Sequence, residues 1–415
     1  MTYHLEKITD DIEMNTAYAI NKNQYKKSLD FYTALIKKVM TPHVIPKKIL
    51  LVCPRYSSTL AMIEVLARHF DLCGIILKNS TKKNDATLQF LKSANYPVLD
   101  ISKADMIALS PSTVEILEQA IGPGSSCVVL DHGGYFSLNS QALSILKPDL
   151  ISGIAEYAIN GENRYFNTSI DDRPFISVGR STIKKNSDLA SANSIMLITE
   201  LYLQNQGIML FGNDVRVGVI GHGTLGARIR SLLQERGVDH FLIHDLDPNK
   251  LGDIPLKNIA HSTAHLCQQC DILFCATGNY ALTRDDLKFI KDGTIAFTVT
   301  SPDDELDLHT LKKDRIITLN TDRSHGDTVV YTIAETGHAW VLPFDGEAPN
   351  TQINFGLADA SIHQPCATHI VAAVRLMQGQ LEHNPQYLSL EDEQLVKQLW
   401  DEYYQPSKTR DHATA

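Results

Sequence analysis

A surplus of basic charge is missing from this chain. It carries 38 Lys and Arg against 48 Asp and Glu, a net charge of −10. Without a basic stripe to neutralise phosphates, no nucleic-acid partner is expected. Long apolar runs are missing too. None reaches the roughly 20 residues that span a bilayer, so no membrane partner is expected either. The N-terminal MTYHLEKITDDIEMN is acidic and polar and does not read as a signal peptide. Cysteine is sparse and odd in number: seven residues scattered through 415. In a chain long enough to bury its own core, they read as reduced thiols of a cytoplasmic protein, not as a disulfide framework. No nucleophile elbow, P-loop, internal repeat or low-complexity tract appears. What remains is 43% hydrophobic and 21% charged, ordinary for a globular protein, and long enough for two domains.

Along the chain, short apolar runs alternate with helical stretches, the mark of parallel βαβ units. Residues 1–45 read as helical. Strands are expected at 47–54, 73–78, 96–102 and 126–134, with helices at 58–70 and 112–121. A long helix from Ser187 to Gln206 precedes further strands at 215–223, 239–245, 270–278, 293–300 and 315–320. The chain then reads as irregular from Pro343 to about 360, followed by helices at roughly 363–381 and 390–404. The fold class is α/β throughout.

Gly221, Gly223 and Gly226 fit G-x-G-x-x-G. The pattern follows an apolar strand, opens a helix (ARIRSLLQERG), and is followed by a second strand ending at Asp245, 19 residues after the third glycine. That is the context of a dinucleotide-binding unit. The first glycine makes the tight turn, the second lets backbone approach pyrophosphate, and the third lets helix and strand pack closely. Gly221, Gly223, Thr224, Leu225 and Gly226 would cradle the phosphates at a helix N-terminus. Asp245, or Asp247 just beyond it, would bind the adenosine ribose and favour NAD over NADP. Ala276, Thr277, Gly278 and Asn279 end a later strand of the same sheet, either as cofactor contacts or as a plain strand-to-helix turn.

The order of motifs resembles the S-adenosylhomocysteine hydrolase family from about residue 47 to about 380. LDHGG (130–134), GIAEYAING (153–161), STIKKNSDL (181–189), HDLDP (244–248), CATGN (275–279) and INFG (353–356) look like family segments, in order. The resemblance implies a split α/β substrate domain over 1–186, completed by about 357–415, around a Rossmann NAD domain over 187–356. It implies a hydrolase or lyase that uses tightly held NAD to oxidise the ribose 3'-hydroxyl of a nucleoside-like substrate transiently, in a homodimer or homotetramer. Residue by residue, Lys184 matches the lysine acting on the 3'-hydroxyl, and Asp188 and Glu156 match groups that contact the ribose. Asn354 falls at a cofactor-contacting position.

The departures bear on the substrate. His132 stands where the family has its catalytic aspartate, leaving Asp131 before it, and Arg55 stands where the family has a histidine. Ser301 replaces another family histidine, and Leu189 replaces an asparagine. Tyr157, Ala158 and Ile159 replace three threonines. The C-terminal Gly-His-Pro segment and Lys-Pro tail have no counterpart. His132 reads as a substitute acid/base or a structural loop residue. Arg55, with Ser57 and Ser58, reads as a substrate-binding stretch suited to an anionic group, or Arg55 as a packing residue. The altered positions leave three readings open: an enzyme of this type with another substrate, a catalytically altered NAD-binding regulator, or a simple NAD-dependent dehydrogenase. No metal site is expected, because Cys267 and Cys270, with His261 and His265 nearby, lie where a helix enters a strand. His363 and His369 read as packing or pocket-lining residues. Asp303, Asp304, Glu305 and Asp307 read as a solvated acidic loop.

Overall fold

A computed structural model describes residues 22–40, 48–78, 85–137, 139–168, 173–210, 215–352, 360–379 and 386–405. The chain divides into two compact units, one formed by Met1–Ser187 with Asp359–Ala415 and the other by Asp188–Ala358. The first contains strands β1 (Lys48–Cys53), β2 (Asp71–Leu77), β3 (Val98–Leu99), β4 (Cys127–Asp131), β5 (Ile151–Glu156) and β6 (Phe175–Ser177). The second contains β7 (Val217–Ile220), β8 (Phe241–His244), β9 (Ile272–Cys275), β10 (Thr294–Thr298), β11 (Ile317–Leu319), β12 (Thr328–Ile333) and β13 (Ala339–Pro343). The chain then returns to the first unit with β14 (Gln386–Tyr387). The helices that matter below are α1 (Lys22–Val39), α2 (Leu60–His69), α3 (Thr182–Asn205), α4 (Thr224–Glu235), α5 (His363–Gln378) and α6 (Leu390–Tyr404).

In the first unit the described strands form one parallel sheet in the order β14-β6-β5-β4-β1-β2-β3. KILLVC and CVVLD are apolar almost without interruption because both faces of the sheet are covered. Helices α1, α2, α5 and α6 pack Phe31, Tyr32, Ile370, Val374 and Leu399 on one face, and Leu117, Ile121 and Tyr165 lie in the core on the other. The second sheet runs β11-β12-β13-β10-β9-β7-β8, parallel from β8 to β13, with β12 antiparallel. In each sheet consecutive strands switch to the other side of the first strand, after β3 in one and after β8 in the other. Such reversals open a crevice at the carboxyl ends of the central strands, where α/β proteins bind ligands. Here the crevices lie between β1 and β4, and between β7 and β9.

Several elements depart from the sequence reading. The strand expected over 96–102 is only Val98–Leu99, and α3 begins at Thr182, five residues before Ser187. Of the helix expected over 1–45, α1 is the part within the described residues. The sequence reading lacks β5, β6, β12, β13 and β14. β5 (ISGIAE) hides its nature behind a glycine and a glutamate. A Cβ on Gly153 would meet Leu376 of α5 at 3.3 Å, so close helix packing selects the residue that weakens the strand signal. TVVYTI and AWVLP of β12 and β13, by contrast, are ordinary strand sequences.

Candidate functional site

The dinucleotide loop is built as its glycines require. β7 ends at Ile220, and Gly221 turns the chain at φ 95°, a conformation costly for any other residue. A Cβ on Gly221 would lie 2.7 Å from the Ala276 carbonyl oxygen, and one on Gly226 would lie 2.0 Å from the Gly221 carbonyl oxygen. Around Gly223 a Cβ would meet nothing within 4 Å. Gly223 is also the N-cap of α4, with no side chain capping it. The first-turn N–H groups of Thr224, Leu225 and Gly226 therefore have no helical acceptor and lie at the positive end of the helix dipole. This cradle fits a diphosphate.

Of the two candidate ribose ligands, Asp245 is the one held against the glycine loop. Its carboxylate accepts from the His222 N–H at 2.7 Å and from the Asp247 N–H at 2.9 Å. Burial works against its charge. The two N–H groups and the Lys250 ammonium outweigh burial and keep the carboxyl below its ordinary value. Asp247 instead caps the next turn, accepting from Asn249. His222 carries no signal in the sequence beyond its place in the loop. Its Nδ1 lies 2.7 Å from the Lys250 carbonyl, tying the 245–250 segment to the loop.

Glu305 overturns the reading of the acidic stretch as solvated. It is fully buried. Its carboxylate accepts from the N–H and hydroxyl of Thr277, the N–H of Gly278 and the hydroxyl of Thr300. Burial raises its pKa, and these four donors work in the opposite direction. The CATGN turn is thus held beside the glycine loop with its donors pointing inward. Asn279 is exposed and donates its N–H to the Thr277 hydroxyl. Asp304 is buried as well, while Asp307 is exposed and caps a short helix. Asn354 lies outside the described residues.

In the first unit a cavity of about 60 Å³ opens at the crevice between β1 and β4. Tyr56, Ser58, His132, Tyr157, Cys366 and His369 are among the residues lining it. Two of the expected site residues, His132 and Lys184, meet on one aromatic ring, that of Tyr157. The His132 ring lies 4.4 Å from that of Tyr157, with 29° between planes. The Lys184 ammonium sits 5.3 Å from the centroid of the same ring, a cation–π arrangement. Lys184 is buried, whereas its neighbour Lys185 is exposed. Asp188 follows one turn later on α3, half-buried. Arg55 is half-buried, and Ser57 and Ser58 are buried at the entry to α2.

Asp131 and Glu156, expected as an acid/base group and a ribose contact, also hold backbone in place. They sit opposite one another in the β4–β5 register, both fully buried. Asp131 accepts from the N–H groups of His132, Tyr135 and Phe136 and from the Tyr165 hydroxyl at 2.6 Å. Glu156 accepts from the N–H groups of Gly133, Gly134 and Ala158. Burial pushes both carboxyls above their ordinary range, and the Asp131 charge adds to this at Glu156. Together the pair clamps the loop that presents His132. Glu156→Ala strands three enclosed N–H groups, each worth about 1–3 kcal/mol. We expect it to lower the chemical-denaturation stability of this unit by about 3 kcal/mol or more.

Two histidines of α5 make the unit acid-sensitive. His363 lies 2.9 Å from both the Ser28 and Tyr32 hydroxyls, and His369 lies 2.8 Å from the Ala155 carbonyl. Burial lowers both to about 4 from the ordinary 6.5. The unfolded chain therefore takes up protons first, so this contribution to stability is complete above pH 6.5 and is lost as pH falls towards 4. Thermal midpoints should drop across that window, and a His363→Gln, His369→Gln double variant should flatten the drop.

Among the described residues no helix is long and apolar enough to cross a membrane, and no cluster of His, Cys, Asp and Glu could hold a metal ion. Burial raises the thiol pKa values of Cys267 and Cys270. No family model and no curated protein matches the chain. Solved structures that align with it include NAD+-bound 3-phosphoglycerate dehydrogenase from Entamoeba histolytica, 9% identical over 81% of this chain and 94% of that one, with a TM-score of 0.34. One of the dipicolinate synthase subunits of Bacillus halodurans is 12% identical over 65% and 88%, with a TM-score of 0.37. A 2-hydroxyacid dehydrogenase from Ketogulonicigenium vulgare is 16% identical over 65% and 79%, with a TM-score of 0.33. Likeness this distant adds nothing to what the strand orders already establish.

Proposed function

We propose that this chain is an NAD-dependent enzyme resembling S-adenosylhomocysteine hydrolase, acting on a nucleoside-like substrate by transient oxidation of its ribose 3'-hydroxyl. The observation that carries the cofactor reading is the uncapped α4 N-terminus behind Gly221 and Gly226, with Asp245 held at the end of the adjacent strand. Bound there, the dinucleotide would supply a reversible two-electron oxidant.

The chain's own groups would do the proton work. Lys184, enclosed against the Tyr157 ring, would take the proton of the 3'-hydroxyl. Lysine, unlike arginine, can give up its own proton and so serve as a base. His132, presented by the clamped loop, would hold or deliver a proton at the departing group. Asp131 and Glu156 would act through His132 by fixing its loop. Arg55, beside the cavity, would suit an anionic substituent of the substrate. A homodimer or homotetramer is the assembly we propose, by the same resemblance.

The test is to purify the full chain, assay bound and added NAD, and follow reduced-nicotinamide absorbance as adenosine and S-adenosylhomocysteine are added. Reduction that persists without cofactor exchange supports the recycling enzyme. Stoichiometric release of reduced cofactor would make it a dehydrogenase. A second reading, an NAD-binding regulator, is favoured by the enclosure of Asp131 and Glu156. It would be upheld by firm NAD binding that no nucleoside reduces.

A further inference from the structure

The cavity between β1 and β4 contains two polar groups with unused hydrogen-bonding capacity. The Ser58 hydroxyl oxygen is enclosed and has no hydrogen-bond partner among the described residues, and Ser58 is only 6% exposed. Leaving such a group unpaired is costly unless something pairs with it. His369 lines the same cavity from α5. Its Nε2 lies 2.8 Å from the Ala155 carbonyl. A carbonyl only accepts, so Nε2 carries the proton and Nδ1 is left as an acceptor. Burial keeps this ring neutral, with its pKa lowered to about 4. The remaining wall is largely apolar and includes Val52, Met62, Ile362 and Cys366, with His132 and Tyr157 bordering the same space.

We infer that this cavity is a subsite for a single sugar hydroxyl, which donates to Nδ1 of His369 and accepts from the hydroxyl of Ser58. A hydroxyl supplies one donor and one acceptor, the complement of what the two walls lack. The volume of about 60 Å³ has room for a hydroxyl-bearing carbon. A carboxylate could accept from Ser58 but has no proton to donate to His369, and an ammonium enclosed by this largely apolar wall would leave a buried charge uncompensated. This inference rests on the nucleoside reading above and adds to it which part of the substrate enters and which residues hold it.

The experiment is equilibrium titration of the full chain and of Ser58→Ala with adenosine and with 2'-, 3'- and 5'-deoxyadenosine. One deoxynucleoside is expected to bind the unaltered chain roughly threefold to tenfold more weakly than adenosine, the worth of a typical net hydrogen bond. Ser58→Ala should weaken adenosine by a similar factor and leave that one deoxynucleoside unaffected. The subsite is overturned if all three deoxynucleosides bind the unaltered chain as tightly as adenosine, a result that needs no variant to fold. It is equally overturned if Ser58→Ala weakens nothing, or weakens all four ligands alike. Failure of the unaltered chain to bind adenosine at all would instead overturn the nucleoside reading, and the subsite with it.

Discussion

Gly226→Val is expected to abolish dinucleotide binding, with a loss of at least about 100-fold, or roughly 3 kcal/mol. The new Cβ would lie 2.0 Å from the Gly221 carbonyl oxygen. That neighbour is backbone in a tight turn and cannot swing aside. Relief requires α4 to back away from β7, and the first-turn N–H groups move with it. Gly223→Ala provides the contrast. Its Cβ meets nothing within 4 Å, so the variant should melt like the parent yet bind NAD more weakly, because the methyl stands where phosphate would approach. Titration of both variants with NAD, beside their melting curves, checks this. Normal affinity in Gly226→Val would remove the glycine loop as the cofactor site.

The second large effect is expected at Lys184. Lys184→Met should lower nucleoside-driven cofactor reduction by about 10²–10⁴-fold, the usual worth of a positioned proton-transfer group, without altering NAD affinity. Lys185→Met should leave the rate unchanged, since that side chain is exposed. Lys184→Arg separates two explanations. Arginine keeps the positive charge over the Tyr157 ring but does not release a proton. An inactive Arg variant points to proton transfer, whereas an active one would mean that Lys184 serves only as a charge and would remove it as the base.

The carboxylates show why local sequence misleads about such sites. Glu305 stands in the run SPDDELD, and nothing in that run marks one acid as buried and its neighbours as not. Its donors come from residues 277, 278 and 300, on two other strand ends. Glu156 looks like a ligand-facing residue by its motif, yet it also accepts from N–H groups 22 and 23 residues away and from Ala158. An acid's role is set by which donors reach it, and those are settled only when strands align.

Whatever depends on near neighbours was legible along the chain. The α/β class follows from alternating apolar runs and helical stretches. The dinucleotide loop follows from glycine spacing, because a tight turn, an approachable backbone and a close helix contact all arise within six consecutive residues. The two C-terminal helices, His363–Gln378 and Leu390–Tyr404, lie close to where the sequence reading places them. The rest waited on the folded sheets: that Asp245 rather than Asp247 faces the loop, that Lys184 is buried and Lys185 is not, and that Asp131 and Glu156 clamp the loop carrying His132. It also decided that a cavity exists at all, since its lining is drawn from residues 52 to 369 and meets only where β1, β4, β5 and α5 converge. Backbone turns are governed by local sterics that a short motif fully specifies, whereas burial and hydrogen-bond partnership depend on contacts between distant segments, which exist only once the sheet has formed.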